Sequence, residues 1–151
     1  MAREKTPVVT TIDSPFEFGK ANLLWDSEKP HVAIISCGPL VYNSLIAAKN
    51  LEAEGISVSV LNLHTIKPLD IETVIAVAKK AGRVVTCEEH QVAGGMGSAV
   101  AEVLAQNYPV PMEFIGVKDQ FGQSGKPEEL VEFYGMGVKS IMEAVQKIVA
   151  R

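Results

Sequence analysis

The sequence has no stretch approaching the roughly 20 apolar residues that a membrane-spanning helix needs. No apolar run follows the charged start Met1-Ala2-Arg3-Glu4-Lys5, so neither a membrane partner nor a secretory leader is expected. No block of Lys or Arg stands out, and the net charge is −4, so the electrostatic footprint of a nucleic-acid binder is missing. Only two cysteines occur, Cys37 and Cys87, each within or at the end of an apolar, strand-like run. Two buried thiols in a reducing cytoplasm are expected rather than a disulfide. Neither belongs to a CxxC or Cys/His cluster, which argues against a metal site. P-loop and GxSxG nucleophile motifs are also absent.

What is present suits one α/β domain. Apolar residues make up 47% of 151, enough to build a core. Residues 1–15 read as an extended lead-in or linker, in which Val8–Ile12 has strand propensity and Asp13-Ser14-Pro15 breaks it. Residues 16–151 read as the domain. Lys20–Trp25 and His31–Ser36 flank the polar turn Asp26–Pro30, a hairpin signal, with the first run as an antiparallel edge strand.

From Val32 the rhythm is strand then helix. Val32–Ser36 is continuously apolar, as in a strand covered on both faces. Val41, Leu45, Ala48 and Leu51 recur at helical spacing, and Gly55 ends that helix. Ile56–Leu63 is the next strand, and Asp70 can cap a helix carrying Ile71, Val74, Ile75 and Ala78 that Gly82 stops. Arg83–Cys87 is a strand, Glu88–Gly95 a loop, and a helix begins near Met96 or Gly97. Met112–Val117 is a further strand. Pro127-Glu128-Glu129 makes a favourable first helical turn. Val138, Ile141, Met142, Val145, Ile148 and Val149 form one stripe of a last amphipathic helix. The alternation predicts a three-layer α/β fold: a mostly parallel sheet of about five strands, one of them an antiparallel edge strand, with helices on both faces.

In open parallel sheets ligands gather beyond the carboxyl ends of the strands. Cys37-Gly38-Pro39, His64–Asp70 and Glu88–Ser98 fall there. The candidate interface or anion-binding residues are His64, Lys67, Glu88, Glu89, His90, Gly94, Gly95, Gly97 and Ser98. Gly95-x-Gly97 before a helix lets backbone N–H groups approach an anion. It is a poor dinucleotide fingerprint, because the third glycine position holds Val100 and the preceding strand is not the first of the series. We read these glycines as permitting a tight loop and close helix–sheet packing. Glu88 and Glu89 are adjacent on an extended segment, so they point to opposite faces and form no acid–base dyad.

Several segments, in order, resemble the transketolase C-terminal domain. They are Pro15–Ala21, Val32–Val41, Gly55–Asp70 with its His64-Thr65-Ile66-Lys67-Pro68, Glu88-Glu89-His90 with Gly94–Val100, Asp119–Gly125 and Glu128-Glu129-Leu130. The resemblance runs from about residue 7 to the end. It implies a part of a transferase of the pentose phosphate type, in which thiamine diphosphate and Mg²⁺ are bound by two other domains between subunits. No catalytic, cofactor-binding or metal-binding residue of that family has a counterpart here, and its Gly-Asp-Gly diphosphate–magnesium signature is absent. The resemblance therefore implies no cofactor in this chain and no catalysis by it alone. The implied partners are the thiamine-binding domains or subunit of the same enzyme, and a second copy in a homodimer. The same domain type occurs in 1-deoxyxylulose-5-phosphate synthases and in the β subunits of 2-oxoacid dehydrogenases. A stand-alone small-molecule or anion-binding domain is the alternative of a different class.

Overall fold

The computed structural model describes residues 6–151. Five strands form one sheet: β1 (Asn22–Trp25), β2 (Val32–Ser36), β3 (Val58–Asn62), β4 (Val84–Gln91) and β5 (Met112–Val117). The helices between and after them are α1 (Leu40–Ala53), α2 (Ile71–Ala81), α3 (Met96–Asn107), α4 (Pro127–Phe133) and α5 (Val138–Val149). The spatial order is β1-β3-β2-β4-β5. The last four strands are parallel, and β1 runs antiparallel to β3 at the edge.

Period-two alternation divides the core into two halves. Val32, Ile34, Val58, Val60, Val85 and Cys87 face α1 and α5 on one side. Ala33, Ile35, Leu61, Leu63 and Val84 face α2 and α3 on the other. β2 is buried at all five positions, as its unbroken apolar run requires. In α5, Ile141, Ala144, Val145 and Ile148 are buried at helical spacing, while Val138, Met142 and Val149 pack at the margin. The α2 start follows from Asp70, whose side chain accepts from Thr73 N and Thr73 Oγ1. Its end follows from Gly82, which takes the left-handed conformation at φ 70°.

Three local expectations are corrected. Lys20–Trp25 does contribute an antiparallel edge strand, but β1 pairs with β3 rather than forming a hairpin with β2. Both flanks of β2 are occupied by β3 and β4, its parallel neighbours. Val8–Ile12 forms no strand; Thr11 N and Ser14 Oγ instead bond within a turn. Residues 1–5 of the lead-in lie outside the described residues. Finally, Glu88–Gln91 belongs to β4 rather than to a loop, and the ladder to β5 breaks register between Cys87 and Gln91.

Candidate functional site

The chain leaves β2 for one neighbour, β3, by way of α1, and then crosses back to β4 by way of α2 on the other face. The carboxyl ends of β2 and β4 therefore part at a topological switch point, where a crevice opens. A cleft of about 480 Å³ lies there. Cys37, Gly38 and Pro39 form one wall, Glu88, Glu89 and His90 another, and Gly94–Met96 the third. Ile66 reaches it from the loop after β3.

Glu88 is the organising residue. It is buried, yet its neighbour Glu89 is exposed, as opposite faces of a strand require. Its Oε2 accepts from Met96 N at 2.6 Å, and its Oε1 accepts from Gly97 N at 2.9 Å. A carboxylate at the positive end of α3 gains from two charge-assisted hydrogen bonds and from the helix dipole. The two glycines are what let it in. A Cβ on Gly95 would collide with Glu88 Oε2 and Gln91 O, and one on Gly97 would stand 2.6 Å from Thr86 Oγ1. The N–H groups expected to be open to an external anion at the Gly97 helix start thus already serve this internal one.

Around this centre the loop is held by its own side chains. Gly94 takes φ 76° and donates its N–H to Ser98 Oγ, which donates to Val92 O. His90 is exposed, and its Nδ1 lies 3.2 Å from Gln91 O. Burial pushes the Cys37 thiol up to about 11, with the Glu88 charge adding to it. Burial likewise pushes Cys87 up to about 12. Both thiols are free and uncharged at neutral pH, so neither is a ready nucleophile.

His64 and Lys67 occupy the same edge but not the cleft wall. Lys67 is exposed and precedes a cis bond to Pro68. His64 lies deeper, with Nδ1 3.0 Å from Thr65 Oγ1 and its ring stacked on Phe16 at 4.8 Å between centroids. The lead-in is pinned here as well. Gly19 N donates to Thr65 Oγ1, and Ala21 N donates to Asp70 Oδ2. Burial works to raise the Asp70 pKa, but the Ala21 and Thr73 donors hold it below its ordinary value.

Sequence reasoning overlooked Phe16 as part of this edge, and within His64–Asp70 it did not single out Thr65 and Ile66. No spacing signal singles them out, since each reads as an ordinary loop residue. Among the described residues, no three His, Cys, Asp or Glu side chains are placed to hold a metal ion. Nor is any helix among them long and apolar enough to cross a membrane.

Comparison with known proteins assigns the fold to a family. The family model described as "Transketolase, C-terminal domain" matches residues 19–141. The 6-deoxy-6-sulfo-D-fructose transketolase subunit SqwH of Clostridium sp. (strain MSTE9) is 44% identical over 136 residues, covering 90% of this chain and 42% of that protein. An apulose-4-phosphate transketolase subunit of Phocaeicola vulgatus is 36% identical over 139 residues, covering 92% of this chain and 44% of its own length. A solved structure described as a split gene transketolase, inactive β4 tetramer, superimposes with a TM-score of 0.92 at 42% identity, covering 98% of this chain and 48% of that one. The chain thus spans less than half the length of each of these relatives. With a matching family model over most of its length and the same five-stranded mixed sheet, the chain belongs to the transketolase C-terminal domain family.

Proposed function

We propose that this chain is the C-terminal domain or subunit of a thiamine-diphosphate-dependent transketolase, where it serves assembly and contributes no catalytic group. The observation that carries this reading is the Glu88 carboxylate on the amino end of α3. In a parallel α/β sheet that position is where a diphosphate would sit. Here the Glu88 carboxylate holds it, and among the described residues no three His, Cys, Asp or Glu side chains gather beside it. A carboxylate in that place supports assigning thiamine diphosphate and Mg²⁺ to the rest of the enzyme. Two relatives described as transketolase subunits are more than twice as long as the part this chain matches, which supports thiamine-binding partners outside it.

The carboxyl edge is the surface we assign to those partners or to a second copy. It gathers His64, Lys67, Glu89 and His90 on loops and a strand end, beside the exposed side chains of Phe16 and Ile66. Loops at the end of a rigid sheet are where proteins place contacts rather than core. A cytoplasmic setting suits the two free thiols.

Calorimetric titration of the chain with thiamine diphosphate and Mg²⁺ tests the first part: no saturable heat is expected, and micromolar binding would overturn it. The edge assignment is tested in the reconstituted enzyme with Glu89→Ala combined with His90→Ala. Weaker assembly is expected, and unchanged assembly and activity would remove the edge from the interface.

A further inference from the structure

His64 holds a polar atom that the free chain does not use. Its Nε2 is buried and has no hydrogen-bond partner among the described residues. The other ring nitrogen is engaged. Thr65 Oγ1 accepts from Gly19 N at 3.3 Å, so its own proton is free to go to His64 Nδ1, 3.0 Å away. The Nδ1–Thr65 contact accommodates either direction, and we assign the tautomer in which Nδ1 accepts and the ring proton sits on Nε2. A buried donor without an acceptor lowers stability and calls for a reason.

What lies over the ring is Phe16, stacked at 30° between planes. Phe16 is itself 77% exposed, Phe18 is 71% exposed and Ile66 is 43% exposed. Residues 14–19 carry no helix or strand, and the hydrogen bond from Gly19 to Thr65 ties this stretch to the edge behind the stack. The cover is thus a large apolar side chain with most of its surface in water, on a segment with few ties. Singly exposed apolar residues need no explanation, but a group of them beside an unpaired buried donor does.

We propose that His64 is a docking residue: in the assembled enzyme its Nε2–H donates to an oxygen of the thiamine-binding part, and Phe16 turns from the imidazole onto that partner's apolar surface. The inference rests on the carboxyl-edge docking argued above and names the contact that edge would make. The occupant follows from the position of the linker. The segment carrying Phe16 crosses this edge on its way to β1, and the relatives carry more than half of their length outside the matched part. An imidazole donor beside apolar rings is the composition of an interface centre, where a polar group becomes fully paired as water leaves.

The test measures two quantities on the 151-residue chain. One is its thermal midpoint alone; the other is its dissociation constant for a polypeptide carrying the two thiamine-diphosphate-binding domains, added in trans. His64→Phe keeps a ring under Phe16 and removes the N–H. Its midpoint is expected to equal or exceed that of the unaltered chain, while binding weakens by about tenfold, which is about 1.4 kcal/mol. His64→Gln restores a donor and should recover part of the affinity. A His64→Phe chain that binds as tightly as the unaltered one overturns the inference and leaves the docking reading standing. An unaltered chain that does not bind at all overturns both. Should His64→Phe fail to fold, Phe16→Ala decides: weaker binding supports the docking role, and unchanged affinity sinks it.

Discussion

Glu88 and Gly97 fix one another. The glycine N–H donates to the carboxylate at 2.9 Å, and any side chain at 97 would crowd the strand that carries Glu88. The amino end of α3, a place that attracts phosphates in many α/β proteins, is here closed from within.

Removal of that carboxylate should be costly. Glu88→Ala leaves the N–H groups of Met96 and Gly97 buried and unpaired, a loss of about 2–6 kcal/mol if each is worth about 1–3 kcal/mol. Urea unfolding measures it. Formate at high concentration should restore part of the stability of the variant and none to the unaltered chain. A loss below about 0.5 kcal/mol would show that the two N–H groups find other partners.

Gly97→Ala sets helix propensity against sterics. Within a helix the change gains about 1 kcal/mol, yet the new Cβ would stand 2.6 Å from Thr86 Oγ1 and 3.0 Å from Phe114 Cδ1. Overpacking of about 1–3 kcal/mol should win, giving a net loss. Thr86→Ala alone should be nearly neutral, because its buried hydroxyl has no partner among the described residues. A double-mutant cycle should then show positive coupling, with Gly97→Ala less harmful in the Thr86→Ala background. Strict additivity would mean that Phe114, not Thr86, is the obstacle.

Two carboxylates should make stability depend on acid. Hydrogen bonds from Lys80 and Ser59 hold Asp26 below 3.8, and the Ala21 and Thr73 donors do the same for Asp70 against its burial. A folded value below the unfolded one stabilises above the unfolded value, and that gain is lost as pH falls through the folded value. Stability should therefore decline below pH 3.8. Asp70→Asn and Asp26→Asn should each flatten part of that decline in thermal scans from about pH 6 to about pH 2. An unchanged slope in both variants would place the acid sensitivity elsewhere.

The thiols should be slow. With Cys37 pushed up to about 11, its thiolate fraction at pH 8 is about a hundredfold below that of a thiol at 9.0. Alkylation by iodoacetamide should be slower than in urea by at least that factor, and Cys87 slower still, since it is fully buried. Rapid labelling of Cys37 in the folded chain would mean that the cleft wall opens readily.

The layered sheet was legible because burial writes itself into period and length. The continuous run Val32–Ser36 signals a central strand, and the Ile141–Ile148 stripe signals a helix lying on the sheet. The false hairpin arose from a local signal with no knowledge of crossovers. A polar turn between two strand-like runs looks the same whether the second run is adjacent or one strand away. In this fold β3 takes the place beside β2, and Asp26 is drawn aside to Lys80 and Ser59. The role of Glu88 was hidden for a different reason. A charge after an apolar run ordinarily marks a strand leaving the core, and only the glycines at 95 and 97 hint that a buried acceptor is waiting for helix N–H groups. The Phe16–His64 stack had no signal at all, since it joins residues 48 positions apart.

The ties of the lead-in also decide how the domain would bear load. Asp70 grips Ala21 while capping α2, and Thr65 grips Gly19. Tension along the lead-in would therefore be delivered first to the loop after β3 and the start of α2, where these two bonds resist it. The four-residue β1 would be shielded from being peeled off β3 one bond at a time. A lead-in anchored in this way takes up a pull on the domain without unravelling its edge.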